Sequence, residues 1–381
     1  MASPQPDQFP RRFGKYQLIR RVASGGMADL YLAIETTPGI GQRFVIVKRI
    51  RPEHVTDTDY VEFFLTEGRV AVRCAHPNLP QTYELARREG APYLAMEYIA
   101  GHTLLDVVNA ATAAKKQLSA PSVLRVGIGV AAALEHLHTL KGVDGEPLSV
   151  VHRDVTPQNV MLSDDGTVKL IDFGIVRSSL QTHKTRAGVV KGKFSYLAPE
   201  ALERNLRVDH RADLFSLGIV MHESLTGRSL FRGRDDAETM KRIKFAQVPD
   251  LSAIRRDVPE ELADVIDAAL EKDPERRYPS ATELLVALER AAEKCGILPS
   301  RTRMRREVHG LCGPVYTPKV PTPNRRPGSD SGNHLTADLD LSYFLNQAER
   351  GSANFEPSDD NEDAEESEDS AFDELLARLV D

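Results

Sequence analysis

Alternating hydrophobic and polar residues dominate the first hundred positions of the chain. Four segments share this β-type period and are separated by turn-forming residues or by one helix-like stretch: residues 16–23, 28–35, 43–50 and 92–99. In the helix-like stretch, residues 57–74, apolar side chains recur near helical spacing at Val61, Phe64, Leu65 and Val70. The pattern predicts a β-rich unit that contains one helix.

After Gly101 the spacing of hydrophobic residues becomes helical. The segments with this spacing include residues 121–140, 213–227, 261–272 and 280–294. A β-rich part followed by a helical part predicts the α+β fold class.

The two ends of the chain have a different composition. Residues 1–15, rich in Pro, Gln and Arg, are expected to be a flexible leader. The arginine-rich segment 294–312 is interpreted either as one more short basic helix or as a solvated cap on the preceding helix. Residues 313–381 lack apolar periodicity and are expected to be disordered, with a possible terminal helix at 370–380. The acidic tail or this helix could dock on a partner.

Composition excludes several classes of protein. No run of about 18 uncharged apolar residues is present, and the N-terminus lacks the apolar core of a signal peptide, so we expect a cytoplasmic protein without a membrane span. The three cysteines, Cys74, Cys295 and Cys312, are far apart, which indicates neither a disulfide framework nor a zinc site.

The net charge of −7 is unevenly distributed. Residues 356–381 carry twelve acids and one arginine, a local charge of −11, so the first 355 residues amount to +4. This weak positive balance gives no reason to expect a nucleic-acid partner.

Two short strings in the middle of the chain carry the most specific signal. His152-Arg-Asp154 is followed five residues after the aspartate by Asn159, and thirteen residues later by Asp172-Phe-Gly174. Upstream, the glycine-containing segment Val22–Leu30 lies between two predicted strands, where backbone N–H groups could cradle phosphates. These parts, in this order, resemble the signature set of protein kinases. The SGGM of the glycine loop and the string HRDVTPQN are similar to the bacterial eukaryotic-like serine/threonine kinases in particular.

The resemblance implies a bilobal protein kinase fold and a domain at residues 16–293. Its β-rich N-lobe would occupy 16–96, the hinge 97–101 and the mainly helical C-lobe 102–293. The implied activity is transfer of the ATP γ-phosphoryl group to serine or threonine hydroxyls of proteins, with Mg²⁺ or, as a substitute, Mn²⁺.

The resemblance also assigns catalytic roles. Asp154 would orient the substrate hydroxyl and accept its proton. Lys48 would bridge the α- and β-phosphates and pair with Glu67, and Asn159 and Asp172 would supply oxygen ligands to the metal.

Further residues are implied for the nucleotide pocket: Val22, Ala23, Ser24, Gly25, Gly26, Leu30, Ile46, Lys48, Met96, Glu97, Ile99 and Met161. Met96 would be the gatekeeper, and backbone groups of Glu97 and Ile99 would meet the adenine edge. The glycine loop departs from the family pattern at Ala23, Ala28 and Leu30, and Ile46 replaces the usual alanine.

A second departure concerns charge near the γ-phosphate. Serine/threonine kinases usually carry lysine two residues after the catalytic aspartate and threonine after the glycine that precedes the Ala-Pro-Glu string, whereas this chain has Thr156 and Lys193. We hypothesise that Lys193 supplies the missing cation. Alternatively, Lys193 binds an acidic substrate or points to solvent.

The family pattern also implies regulation and a structural ion pair. Arg153 would receive a phosphorylated residue of the activation segment, for which Thr185 and then Thr182 are the candidates. Glu200 and Arg277 are expected to form a buried ion pair.

Two other functions share this fold. A pseudokinase scaffold, which binds nucleotide or partners without transfer, is suggested by the altered glycine loop, Ile46 and Thr156. A small-molecule phosphotransferase is disfavoured by the complete Ala198-Pro-Glu200 segment.

Overall fold

Six strands between Arg11 and Glu97 form an antiparallel sheet with the order β1-β2-β3-β4-β6-β5. This computed structural model describes residues 9–39, 41–142, 144–172, 193–203, 208–245 and 247–315. The strands of the sheet are β1 Arg11–Phe13, β2 Tyr16–Ser24, β3 Ala28–Thr37, β4 Gly41–Ile50, β5 Thr82–Arg88 and β6 Ala91–Glu97.

Strand β1 lies inside the segment that the sequence assigned to a flexible leader. It pairs with β2 through Arg11↔Leu18 and Phe13↔Tyr16. Phe13 is buried, and its ring meets the Tyr93 ring edge-on at a centroid distance of 5.0 Å. The expectation of a leader through residue 15 is therefore wrong for residues 11–13, because burial of this one aromatic ring fixes the short strand.

Helix α1, Thr58–Arg73, packs on one face of the sheet. Asp57 caps it by accepting hydrogen bonds from the N–H groups of Asp59 and Tyr60. At Gly68 an added Cβ would lie 2.8 Å from a methyl group of Leu85 on β5. The absence of a side chain at this position allows α1 to approach the sheet closely.

A three-stranded sheet follows the connection between the two halves of the structure. It has the order β7-β8-β9, formed by β7 Gly101–Thr103, β8 Val160–Ser163 and β9 Val168–Leu170. A Cβ at Gly101 would lie 2.3 Å from the carbonyl oxygen of Leu162, so only glycine permits this approach of β7 to β8.

The remaining described residues are mainly helical. The helices are α2 Leu104–Ala113, α3 Ala120–His138, α4 Arg211–Thr226, α5 Asp236–Phe245, α6 Leu251–Ile254, α7 Glu260–Ala269, α8 Ala281–Lys294 and α9 Arg301–Cys312. Helix α4 is buried around almost its whole circumference, and α3, α7 and α8 pack near it in one core. The β-rich half followed by a helical half confirms the α+β bilobal fold.

Helix α9 is anchored to the helical half through one face, while its arginines are exposed. Met304 and Val308 belong to the main core, and Glu307 accepts hydrogen bonds from the Ser119 N–H, at 2.8 Å, and from the hydroxyls of Ser119 and Ser122. The basic segment of the sequence is thus a packed helix. The acidic tail beyond residue 315, with its possible terminal helix at 370–380, lies outside the described residues.

Candidate active site

Lys48 and Glu67 form an ion pair between the sheet and α1. The Lys48 Nζ lies 2.5 Å from Glu67 Oε1, and both side chains are about nine-tenths buried. Lys48 is held by its register in the middle of the sheet, opposite Leu30 on β3 and Leu94 on β6. Glu67 lies on the face of α1 that packs against the sheet.

Asp172 approaches the same ammonium group from the other half of the structure. Its Oδ1 lies 3.7 Å from Lys48 Nζ. The backbone brings Asp172 there because the N–H of Ile171 donates to the Asn159 carbonyl at 2.8 Å. Asp172 has a left-handed φ of 54°, which is unfavourable for a residue with a side chain.

Asp154 is held by Asn159. The Asn159 Nδ2 donates to Asp154 Oδ2 at 2.6 Å and to the Asp154 carbonyl at 2.9 Å. Asp154 is buried but for 8% of its surface, and its N–H donates to His152 Nδ1 at 3.3 Å. The orientation of the Asp154 carboxylate is therefore fixed by Asn159.

A buried carboxylate of α4 supports the backbone that precedes Asp154. Asp213 accepts hydrogen bonds from the N–H groups of His152 and Arg153, at 2.8 and 2.7 Å, and from His138 Nε2 at 2.8 Å. Burial alone would raise the pKa of Asp213, but hydrogen bonds from His138 and the Arg153 N–H hold that pKa below its usual value. Asp213 therefore stays ionised and accepts all three hydrogens.

The donor set near Asp154 fits a divalent cation of the magnesium type. Asn159 uses its Nδ2 on Asp154, so its amide oxygen is directed away from that carboxylate, and the Asp172 carboxylate is 39% exposed. Within the described residues, no group of three or more His, Cys, Asp or Glu side chains could hold a metal ion. Two oxygen ligands that leave the other positions to water and phosphate suit Mg²⁺.

Four of the predicted adenine-pocket residues lie on four different strands, β2, β4, β6 and β8. Val22 and Ile46 share one hydrophobic cluster of the large sheet with Tyr98, and Ile46 pairs with Met96 across β4 and β6. Met161, on β8, pairs with β7, which follows the connection at 97–101.

The hinge positions define which backbone groups could meet adenine. The N–H of Glu97 donates to the Gln81 carbonyl at 2.8 Å, so an adenine contact by Glu97 would use its carbonyl. The Glu97 side chain accepts a hydrogen bond from Lys169 Nζ at 2.8 Å and is therefore directed away from the predicted adenine contact.

The glycine loop joins β2 to β3 and is exposed at Ala23, Ser24, Gly25 and Gly26. The Gly25 N–H donates to the Ala28 carbonyl at 2.9 Å, which closes a tight turn. A Cβ at Gly26 would meet no protein atom within 4 Å. The side of Gly26 on which a side chain would lie is therefore open.

The Thr156 and Lys193 hypothesis is only partly covered by the structure. Thr156 is buried and precedes the short 3₁₀ helix Pro157–Asn159. Lys193 begins another 3₁₀ helix, Lys193–Tyr196, but its side chain lies outside the described residues. Phe173, Gly174 and the phosphorylation candidates Thr182 and Thr185 also lie outside them.

The segment after Lys193 is anchored on α4. Tyr196 OH donates to Glu223 at 2.7 Å, and Ser216 Oγ donates to the Tyr196 carbonyl at 2.7 Å. Burial raises the pKa of Glu223.

Glu200 and Arg277 form the expected ion pair, a bidentate contact at 2.7 and 2.8 Å.

Sequence analysis missed three residues near this site. His138 could have been found from its place at the end of a predicted helix, but its partner Asp213 is 75 residues away. Arg69 and Arg73 of α1 line a cavity of about 320 Å³ together with Arg153. On the sequence alone they are ordinary helix-surface arginines.

Comparison with known proteins gives one family. The pattern of the protein kinase domain matches residues 16–287. None of the described helices is both long and apolar enough to cross a membrane.

Relatives and solved structures agree with this match. The chain is 39% identical over 277 residues to the protein named tyrosine-protein kinase MasK of Myxococcus xanthus, covering 73% of this chain and 43% of that protein. It is 31% identical over 271 residues to serine/threonine-protein kinase PrkC of Bacillus subtilis, covering 71% and 39%. The Mycobacterium tuberculosis PknI kinase domain is similar in structure, with a TM-score of 0.54 at 26% identity, covering 76% of this chain and 100% of that one. This chain therefore spans less than half the length of these two curated relatives.

Proposed function

Because this chain belongs to the protein kinase domain family, we propose that it transfers the γ-phosphoryl group of ATP to serine or threonine hydroxyls of proteins. One observation carries the proposal: Lys48, Glu67 and Asp172 meet across the two halves of the structure, beside the Asp154–Asn159 pair. A scaffold without phosphoryl transfer has no chemical need for all five groups in this arrangement.

These contacts support the following proposed roles. Glu67 fixes the Lys48 ammonium, which neutralises charge on the α- and β-phosphates. Asp154 orients the substrate hydroxyl and takes its proton as the oxygen bonds to the γ-phosphorus and the bond to the β-phosphate oxygen breaks. Asn159 and Asp172 would hold Mg²⁺, or Mn²⁺ in its place. When bound, that cation neutralises phosphate charge.

A second acceptor, the tyrosine hydroxyl, is favoured by one finding. The relative with 39% identity is named a tyrosine-protein kinase, whereas the relative with 31% identity is named a serine/threonine-protein kinase. Asp154 could accept a proton from either kind of hydroxyl.

The experiment is radiolabel transfer from ATP with Mg²⁺ to the chain itself and to a generic basic protein, followed by phosphoamino-acid analysis. Label in phosphoserine or phosphothreonine supports the proposal, and label only in phosphotyrosine selects the second candidate. The Asp154→Asn variant is the control and should lose transfer. Equal labelling by both forms would refute the assignment of Asp154, and nucleotide binding without transfer by the wild type would indicate the pseudokinase scaffold.

We further propose regulation by phosphorylation of the activation segment, with Thr185 or Thr182 as acceptor. The cavity lined by Arg69, Arg73 and Arg153 supports this, because three guanidinium groups suit a phosphate of charge about −1.5 to −2. A cytoplasmic signalling role is proposed with it, since ATP is the donor. Phosphopeptide mapping after incubation with ATP and Mg²⁺ should find one of these two threonines.

A further inference from the structure

The tip of the glycine loop is fastened to the segment that connects β4 with α1. His54 Nε2 lies 2.9 Å from the carbonyl oxygen of Gly26, and the Arg51 N–H donates to the Met27 carbonyl at 3.0 Å. The Arg51 guanidinium also donates to the Gly25 carbonyl at 3.4 Å. Because a carbonyl oxygen can only accept, His54 is the donor through Nε2. Three consecutive carbonyls of the loop are thus held by two residues.

The same connection is attached to α1. The His54 ring stacks on the Tyr60 ring in the first turn of α1, with a centroid distance of 4.0 Å and an interplanar angle of 4°. Met27 packs its side chain on the hydrophobic cluster that contains Ile50 and Phe64. The loop tip and α1 therefore share one set of contacts, and α1 is the helix that carries Glu67.

These contacts also set the direction of the loop amides. A trans peptide unit is planar, so its C=O and the following N–H point to opposite sides. When the Gly26 carbonyl is bound to His54, the Met27 N–H is turned away from the β4–α1 connection. The hydrogen bond from Arg51 to the Gly25 carbonyl likewise turns the Gly26 N–H away from this connection. Such N–H groups are what a glycine loop offers to phosphate oxygens.

We propose that His54 is a positioning residue that holds the tip of the glycine loop in the orientation that receives the ATP phosphates and couples the loop to α1. The inference rests on the proposed function, because it assumes that ATP phosphates bind at this loop. His54 itself touches no substrate in this proposal and acts through the backbone of Gly26. The rival interpretation is a surface hydrogen bond without effect on the loop.

Two variants of His54 separate the hydrogen bond from the ring stack. His54→Phe keeps a ring for stacking on Tyr60 but has no N–H to donate, whereas His54→Gln keeps a donor at similar reach. Tyr60→Phe is the matched control, because it preserves the stacked ring and leaves the contact to Gly26 intact. All variants are made in the full chain.

The first readout is amide hydrogen exchange over residues 23–30 without nucleotide, which requires no activity. We expect faster exchange in His54→Phe and exchange near wild type in His54→Gln and Tyr60→Phe. The second readout is steady-state kinetics, in which His54→Phe should raise the KM for ATP about three- to ten-fold with kcat nearly unchanged. His54→Gln should restore most of the KM.

Unchanged exchange in His54→Phe would overturn the proposal, and so would faster exchange with an unchanged KM. If the wild type neither binds ATP nor transfers phosphate, the proposed function fails and the phosphate-positioning role fails with it. The exchange measurement would in that case still decide whether His54 holds the loop.

Discussion

The Lys48 ammonium is held 2.5 Å from Glu67 Oε1 although the two residues are 19 positions apart and lie on different elements. The pair joins the sheet to α1, and Asp172 meets the same ammonium from the helical half of the structure at 3.7 Å. The position of α1 therefore decides where the Lys48 ammonium lies.

Glu67→Gln is expected to lower kcat/KM for ATP about 100-fold, since loss of the carboxylate frees the Lys48 side chain to leave its position. The measurement is radiolabel transfer at several ATP concentrations. Glu62→Gln on the exposed face of α1 is the control and should be nearly neutral, because its partner Arg69 is also exposed. Activity near wild type in Glu67→Gln would contradict the role of this pair.

Glu200→Ala is expected to destabilise the fold by about 3 to 5 kcal/mol, because Arg277 would then be a buried cation without its partner. Arg277 has an exposed side-chain fraction of 0% and also donates to the carbonyls of Glu271 and Lys272. The free energy of unfolding in urea gives the test, and Glu62→Ala, which breaks an exposed pair, should cost about 1 kcal/mol or less. Similar losses of unfolding free energy in Glu200→Ala and Glu62→Ala would show that breaking the buried pair costs no more than breaking the exposed one.

Helix α9 should be required for stability even though it lies beyond residue 287, where the family match ends. Met304→Ala is expected to lower the free energy of unfolding by about 2 to 4 kcal/mol, because the side chain is buried in the main core. Arg303→Ala, on the exposed face of the same helix, serves as the control and should change it little. Chemical denaturation that finds no difference between the two variants would contradict the packing of α9.

Lowering the pH should destabilise the folded chain in the range in which histidines become protonated. This range lies above the pH at which carboxylates become protonated. Burial lowers the pKa of His152, and burial likewise lowers the pKa of His76 and of His222. Below the ordinary histidine pKa of about 6.5, the unfolded chain binds protons that the folded chain does not, so stability falls as the pH falls from that value toward the folded-state pKa.

The comparison of urea midpoints at pH 7.5 and 5.5 measures this effect. We expect a lower midpoint at pH 5.5, and a smaller difference in His152→Phe, which cannot be protonated at that position. A midpoint that does not change with pH, or that rises at pH 5.5, would be inconsistent with the depressed pKa values.

The hypothesis that Lys193 supplies the cation missing at Thr156 can be tested by restoring the residues that serine/threonine kinases usually carry at these two positions. Lys193→Met is expected to lower kcat about 10- to 100-fold if its ammonium neutralises charge on the γ-phosphate. The double variant Thr156→Lys, Lys193→Thr should recover much of that activity. Failure of Lys193→Met to affect kcat in radiolabel transfer would exclude the proposed exchange.

The sequence by itself determined the fold class and the order of the motif strings, and the resemblance of those strings to protein kinases implied the candidate site residues. It could do so because strand and helix periods are local properties, and because spacings such as Asp154 to Asn159 are measured along the chain. The helix at Thr58–Arg73 follows from its apolar spacing and from the Asp57 cap, both of which are local.

Tertiary structure alone decided those pairings of distant residues that the family resemblance did not imply. Three hydrogen-bonded contacts join positions that share no periodic pattern. They are His138 with Asp213, His54 with Gly26, and Glu307 with Ser119 and Ser122. The short strand β1 is a further case, since its pairing with β2 and the burial of Phe13 against the sheet are contacts made in space. Hydrogen bonds and burial depend on distance in space, and a single sequence records distance only along the chain.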